Sequence, residues 1–167
     1  MEKKFTLSVH ELVDFLLRAG DIDNRINNTT TMNEGTLLHA YYQSRQGKNY
    51  LSEFPLLESF NVKDYEITLE GRADGIIDLE NSAVIDEIKT TIAPLEDYYE
   101  QNKEWHLGQA KCYALMYAHL KGYERISIRL TYIHQLDKSQ FIKTFDYLTS
   151  ELEKEINDLF FEYLDFF

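Results

Sequence analysis

The chain of 167 residues contains a single cysteine, two prolines and no apolar run of membrane-spanning length. The single cysteine, Cys112, excludes a disulfide framework and a four-cysteine iron–sulfur cluster, and its apolar neighbours predict a core position. The amino-terminal segment shows no signal-peptide pattern, because His10, Glu11 and Asp14 interrupt its apolar stretch. We therefore expect a cytoplasmic protein in a reducing environment that does not contact a membrane.

Positive charge is also scarce, and the net charge is −12. This balance argues against tight, autonomous binding to nucleic acid, which usually needs a basic surface. The distribution of charge along the chain weakens this argument against nucleic-acid binding. Residues 146–167 hold seven acids and one lysine and so carry half of the net negative charge. Acids that bind a metal are also counted as negative, although a bound cation reverses the local field.

No linker rich in Gly, Pro or Ser and no repeat divides the chain, so residues 1–167 are predicted to form one domain. Capping boxes at 8–11 and 31–34 predict helices that end near Gly20 and Gly47, separated by a loop over 24–30. The remaining expected elements are strands at 64–71, 73–79 and 83–90, a long helix with Pro94 in its first turn, a hairpin over 124–134 and 140–145, and a final helix from near Asp146. This order predicts an α/β fold with a mixed central sheet flanked by helices.

The chemistry concentrates in Asp74 and in the run that contains Glu87 and Lys89. Glu87 and Lys89 are two residues apart in a β-rich run, so their side chains share one strand face. A polar turn at 80–82 between two apolar runs predicts a hairpin, which brings Asp74 and Glu87 to the same end of neighbouring strands. Both carboxylates, the Ile88 carbonyl and water could then share one hard cation. Taken without Asp74, Glu87 and Lys89 could simply be alternating charges on a solvated strand face. The presence of Asp74 favours a metal site.

Other residues near this run are interpreted more simply. Gly71 and Gly75 flank the site and would allow a ligand or another backbone to approach closely. Asp86 projects from the strand face opposite Glu87, so it is expected to be solvated or salt-bridged. Asp78 and Glu80 are expected to be surface charges near the turn.

Four motifs follow one another along the chain, at 34–39, 74, 87–89 and 109–113, and together they resemble those of the PD-(D/E)XK nuclease superfamily. Asp74 followed by 87–89 resembles the defining motif pair, with Ala73 where the family name has proline. The segment 34–39 resembles the helix that supplies a metal-binding histidine in the RecB-like branch. The segment 109–113 matches the Gln-x-x-x-Tyr motif of that branch.

The resemblance implies a restriction-endonuclease-like core that binds one or two Mg²⁺ or Mn²⁺ ions and has no iron–sulfur cluster. The implied metal ligands are His39, Asp74, Glu87 and the backbone carbonyl of Ile88. The implied catalytic residues are Asp74, Glu87 and Lys89. Gln109 and Tyr113 are expected to orient the site and to touch DNA, and Glu34 is a weaker candidate for a second ion. Taken singly, His39 could be a packed helix residue, and Gln109 and Tyr113 could merely bond each other or a neighbouring strand.

The segments 7–13 and 16–23 are similar to the start of bacterial DinG-like, XPD-related helicases that carry an N-terminal RecB-like nuclease domain. That resemblance implies a helicase domain in the same polypeptide, although the sequence has no Walker-type phosphate-binding string. The final helix is overloaded with apolar residues, and exposed aromatics at Phe160, Tyr163, Phe166 and Phe167 would suit a partner surface. Ordinary core packing of this helix is the alternative.

We therefore expect a metal-dependent nuclease that hydrolyses phosphodiester bonds in DNA, with single-stranded DNA or free ends as substrate and DNA repair or processing as its role. A catalytically inactive DNA-binding or interaction module on the same fold is the alternative.

Overall fold

The computed structural model describes residues 3–18 and 29–166, with side chains over 3–18 and 34–166. Ten elements follow one another along these residues: β1 (Lys3–Ser8), α1 (Val9–Leu17), α2 (Thr29–Ser44), β2 (Tyr50–Val62), β3 (Tyr65–Asp78), β4 (Ala83–Thr91), α3 (Leu95–Lys121), β5 (Arg125–His134), β6 (Gln140–Leu148) and α4 (Thr149–Leu164).

The six strands form one mixed sheet. Its order is β1, β3, β4, β5 and β6, and β2 pairs with β3 along almost the whole of that strand. The β1–β3 and β4–β5 pairs are parallel, and the other pairs are antiparallel. Because α3 connects the parallel strands β4 and β5, it forms a crossover that covers the sheet. The predicted α/β class, with a mixed sheet flanked by helices, is confirmed.

Strand β3 changes neighbours halfway along its length. Its first half pairs with β1 as far as the pair of Ser8 with Glu70. Its second half pairs with β4, beginning with Gly75 opposite Asp86. Residues 71–74 therefore have no ladder partner on that side, and we call this interval the β3 gap. The predicted hairpin is confirmed, and its register brings Asp74 and Glu87 to the same end of the two strands.

Helices cover both faces of the sheet. α1, α3 and α4 pack together and enclose the main hydrophobic core, which includes Cys112 as predicted. α2 packs against β4 on the other side, where Tyr42 forms a smaller cluster with Ile88 and Ile133. Successive β4 residues point to opposite faces, so Ile88 faces α2, whereas Glu87 and Lys89 face α3. None of the described helices is long and apolar enough to span a membrane.

The helix boundaries follow the sequence predictions closely. The first capping box is confirmed, because Ser8 Oγ accepts the Glu11 N–H at 2.9 Å and Glu11 Oε1 accepts the Ser8 N–H at 2.8 Å. α1 ends at Leu17, and the predicted stop at Gly20 lies outside the described residues, as does most of the loop predicted over 24–30. α2 begins at Thr29, two residues before the second predicted capping box, and ends at Ser44. Pro94 precedes α3 as its cap residue and does not lie in its first turn.

The strand predictions and the predicted start of the final helix need correction. The strands expected at 64–71 and 73–79 are one continuous strand, β3, because Gly71 does not break it. β1 and β2 were not predicted. β2 reaches Val62 in spite of Pro55, which an edge strand tolerates because the missing N–H can face away from the ladder. The final helix begins at Thr149, and Asp146 still belongs to β6.

The expected aromatic surface of α4 is only partly present. Phe160 was expected to be exposed but is 1% exposed, because it lies on the stripe that faces the core. The residues of that stripe are Leu152, Ile156, Phe160 and Leu164. Phe166 is 63% exposed and Phe15 is 51% exposed, and their rings make an edge contact at 4.9 Å. Phe167 lies outside the described residues.

Candidate metal centre

Asp74 lies in the β3 gap, where its carboxylate replaces a missing ladder partner. Its Oδ2 accepts the backbone N–H of Ile88 on β4 at 2.8 Å. Its Oδ1 is 3.5 Å from Nε2 of His39 on α2. Burial, and next the negative charge of Glu87, raise the pKa of Asp74 well above its ordinary value. The β3 gap thus places a carboxylate, whose charge is expensive to bury, at a point where groups from α2, β3 and β4 meet.

On the face toward α3, Glu87 and Lys89 form a buried ion pair. Lys89 Nζ is 3.1 Å from Glu87 Oε2, and it donates a hydrogen bond of 2.8 Å to Oε1 of Gln109 on α3. Burial raises the pKa of Glu87 although Lys89 opposes the shift. Burial alone would lower the pKa of Lys89, but the carboxylates of Glu87 and Asp74 raise it. The lysine is therefore a fixed positive charge.

His39 reaches Asp74 together with Glu53 from β2. One ligand atom of each of these three side chains lies within 4.8 Å of the other two, an arrangement that could hold a metal ion. Burial lowers the pKa of His39, which favours the neutral imidazole that binds metals. Among the described residues, Glu87 is outside this set of three, although its charge acts directly on Asp74.

Two buried ligand atoms at the centre lack hydrogen-bond partners among the described residues: Nε2 of His39 and Oε1 of Glu87. Glu87 is only 4% exposed, so water offers its free oxygen little compensation. Carboxylate and carbonyl oxygens suit Mg²⁺ and Mn²⁺, and an added imidazole suits Mn²⁺ better than Mg²⁺. The donor set therefore fits a divalent cation.

Gln109 and Tyr113 occupy one buried face of α3, and they are 1% and 2% exposed. Gln109 links Lys89 to α1, because its Nε2 lies 3.2 Å from Nδ1 of His10. Burial, and next the charges of Glu87 and Asp74, raise the pKa of Tyr113. Both side chains are therefore removed from the solvent-exposed surface of the domain.

The two glycines that flank the site make room for side chains of the protein itself. A Cβ on Gly71 would lie 2.7 Å from the ring of Tyr113, and one on Gly75 would lie 1.9 Å from the hydroxyl of Tyr50. The expected approach of a ligand or another backbone is thus replaced by the approach of two tyrosines. Glu34 is exposed at the start of α2 and does not join the metal-compatible set.

Asp86 was expected to be solvated or salt-bridged, and only the second expectation is right. It is 0% exposed and pairs with Arg129 at 3.0 Å. The hydroxyls of Tyr50 and Thr131 donate to the same carboxylate at 2.6 Å. These contacts tie β2, β4 and β5 together directly beneath Glu87.

Asp78 is also less exposed to water than a plain surface charge. Its carboxylate accepts hydrogen bonds from the hydroxyls of Tyr117 and Tyr123 at 2.5 Å and 2.6 Å. Although burial opposes the shift, these hydrogen bonds lower the pKa of Asp78.

Sequence reasoning missed Glu53 and its neighbour Gln43. Gln43 Nε2 donates to Oε2 of Glu53 and to the backbone carbonyl of Asp74, each at 2.7 Å. The spacing of four residues between His39 and Gln43 puts both on one face of α2, and this was the available signal. Glu53 carried no local signal, because β2 itself was not predicted.

Sequence comparison identifies the family of this chain. The family model of the PD-(D/E)XK nuclease superfamily matches residues 31–164. The chain belongs to that superfamily. The match spans every element of this superfamily domain from α2 to α4, and it includes His39, Asp74, Glu87 and Lys89. No curated protein matches the sequence.

A solved structure, that of SSO0001, resembles this domain in fold. The crystal structure of SSO0001 aligns with 96% of this chain and 78% of that chain, at 19% sequence identity and a TM-score of 0.53. The crystal structure of Candida albicans Rai1 in complex with pU5-Mn²⁺ aligns with 59% of this chain and 25% of that chain, at 15% identity. Its TM-score is 0.31.

Proposed function

We propose that this chain is a divalent-metal-dependent nuclease that hydrolyses phosphodiester bonds in DNA. The observation that carries the proposal is the convergence of Asp74 with a buried Glu87–Lys89 pair whose free carboxylate oxygen has no partner among the described residues. A buried acid next to a second acid is costly in a purely structural role. Membership in a nuclease superfamily supports the same conclusion.

In this proposal His39, Asp74, Glu87 and the Ile88 carbonyl hold Mg²⁺ or Mn²⁺. The bound cation would polarise the scissile phosphate and lower the pKa of the attacking water. The Ile88 N–H fixes the Asp74 carboxylate, so one oxygen of Asp74 stays available for the ion. The neutral imidazole of His39 favours Mn²⁺ over Mg²⁺.

Lys89 supplies the positive charge for the reacting groups. Its raised pKa keeps the ammonium protonated, so it can stabilise the negative charge that develops on the phosphate. Gln109 holds this ammonium from the helix side at 2.8 Å. Tyr113 packs against Gly71 and closes the buried side of the gap. Both α3 residues act by fixing the geometry of the site.

We also propose a branch of the superfamily, a neighbouring domain and a substrate for this nuclease. The motifs of His39, Gln109 and Tyr113 support the RecB-like branch. The similarity of the segments 7–13 and 16–23 to DinG-like helicases supports a helicase domain in the same polypeptide and a role in DNA repair. The single cysteine supports a reducing, cytoplasmic location. DNA with single strands or free ends is the proposed substrate, because strand separation by such a domain would supply it.

Cleavage assays on single- and double-stranded DNA test this proposal. The wild-type protein should cleave with Mn²⁺ or Mg²⁺, and a chelator should abolish cleavage. Asp74→Asn removes a ligand charge and should lower the rate by about 10²–10⁴-fold. Asp158→Asn, on the exposed face of α4, is the matched control and should keep full activity. No cleavage under any of these conditions would refute the proposal.

An inactive DNA-binding or interaction module is the second candidate, and the exposed Phe166 favours it. Such a module would bind DNA or a partner without metal-dependent cleavage. If a further domain covers this end, extending the chain beyond residue 167 should protect the amides of α4 from hydrogen exchange and raise the melting temperature. Unchanged hydrogen exchange of α4 and an unchanged melting temperature would show that a further domain does not cover Phe166 and its aromatic neighbours.

A further inference from the structure

Glu53 and Asp74 lie directly opposite each other on adjacent antiparallel strands. The register pairs Ser52 with Gly75 and Phe54 with Ala73, and the ladder is interrupted only at the position between these pairs. Two like charges at directly opposed positions of a sheet destabilise it. The interruption therefore coincides with a pair of opposed acids, at which a bound cation would relieve the repulsion further than the exposed Arg72 does, whose Nη1 lies 3.9 Å from Glu53 Oε1.

The backbone is strained at Glu53, where the ladder is interrupted. Glu53 has φ 51°, in the left-handed region that side chains other than glycine rarely adopt. Strain of this kind persists where the surroundings fix it, and it concentrates at functional sites. Here the surroundings include Gln43, whose amide bonds both the Glu53 carboxylate and the Asp74 carbonyl. The strained backbone and the amide together hold the Glu53 carboxylate at the gap.

Two further groups at the gap have unused binding capacity. Nε2 of His39 lies 3.5 Å from Oδ1 of Asp74 and has no hydrogen-bond partner in the described part of the chain. Oε1 of Glu87, a residue 4% exposed, is equally unpartnered there. Glu87 takes the register position opposite Asp74 on the β4 side, and Glu53 takes it on the β2 side. Asp74 is thus flanked by acids on both neighbouring strands.

We propose that Glu53 is an additional protein ligand of the divalent cation, opposite Asp74 and beside His39. This inference rests on the proposed metal-dependent function and extends it to a residue outside the recognised motifs. The side chain of Glu53 is 45% exposed, whereas that of Glu87 is 5% exposed. Glu53 therefore ligates from the side of the site that is open to solvent, and Glu87 ligates from the buried side.

Mn²⁺ binding, followed by calorimetry and by the electron paramagnetic resonance signal of free Mn²⁺, tests this proposal without an activity assay. Glu53→Gln should weaken Mn²⁺ binding by about 10–100-fold, the range found when groups that support a metal site are removed. Glu70→Gln, on the exposed side of β3, is the matched control and should bind like the wild type. Glu53→Gly is the second variant, because glycine accepts a positive φ and so removes the carboxylate without adding backbone strain.

The outcomes separate the two proposals. Wild-type binding that Asp74→Asn abolishes but Glu53→Gln and Glu53→Gly leave unchanged would overturn the role of Glu53 alone. Absence of Mn²⁺ binding by the wild-type protein would overturn both the role of Glu53 and the proposed function. Weakened binding in both Glu53 variants, with Glu70→Gln unaffected, supports the additional ligand.

Discussion

Replacing Lys89 by methionine removes one charge from the centre and nearly preserves the shape of the side chain. In the metal-free protein, Glu87 would lose its counter-ion at 3.1 Å while remaining 4% exposed. Removing one partner of a buried ion pair costs about 3–5 kcal/mol. The side chain of Lys89 is 20% exposed, so we expect the lower end, about 3 kcal/mol. For a chain of this size, that loss lowers the melting temperature by about 6–12 °C.

Divalent metal should reverse much of this loss. A bound cation supplies the positive charge that Lys89→Met removes, so the variant should gain more melting temperature from Mn²⁺ than the wild type does. Its Mn²⁺ affinity should equal or exceed that of the wild type, since one repulsive charge is gone. Cleavage should nevertheless slow by about 10²–10³-fold, because the charge that stabilises the developing phosphate is absent.

Differential scanning fluorimetry with and without Mn²⁺, together with single-turnover cleavage, measures these effects. Lys154→Met, an exposed substitution on α4, is the control and should change stability by no more than about 0.5 kcal/mol. A metal-free Lys89→Met variant that melts at the same temperature as the wild type would contradict the stabilising ion pair with Glu87. Mn²⁺ binding weakened as strongly as by Asp74→Asn would show that Lys89 supports the ion and not the phosphate.

Two further predictions concern stability. Arg129→Met leaves the fully buried Asp86 without its counter-ion and should lower the free energy of unfolding, measured by urea denaturation, by about 3–5 kcal/mol. The double variant with Asp86→Asn should recover part of this stability. A loss below about 1 kcal/mol would contradict the importance of the ion pair. His119 bridges Glu58 and Glu153, and although burial opposes the shift, these carboxylates raise the pKa of His119 above its ordinary 6.5. The bridge should therefore stabilise the protein fully below about pH 6.5 and be lost as the pH rises through the higher folded pKa, and His119→Gln should flatten this dependence of the melting temperature.

The sequence predicted the hairpin that carries the site because its signals are local. The turn at 80–82, the alternation of apolar residues and the spacing of Glu87 and Lys89 all lie within one short segment. The fold class followed from the order of such segments. Asp74, Glu87 and the Ile88 carbonyl were predicted to share a cation from the hairpin itself, whereas His39 was added from the family resemblance. Their roles remain predictions, and the distances among them required the structure.

The features that sequence reasoning missed depend on contacts between distant segments. β2 contains Pro55 and many polar residues, and its pairing with β3 is fixed by neighbours that the sequence pattern does not indicate. Without β2 there was no reason to place Glu53 opposite Asp74. The full burial of Asp86 was missed for the same reason, since Arg129 lies 43 positions away along the chain.

Two adjacent acids of β4 project from opposite faces of the sheet and have different partners. Asp86 faces Arg129, whereas Glu87 faces Lys89 and the gap. Since side chains alternate across a strand, one inserted or deleted residue between the turn and Asp86 would exchange the two acids between the faces. Such a change would bury an acid without a counter-ion on each face, and it would also remove the carboxylate of Glu87 from the candidate metal centre. We therefore expect this strand to tolerate changes of side chain far better than changes of length, and we expect insertions to be tolerated only within the turn at 80–82.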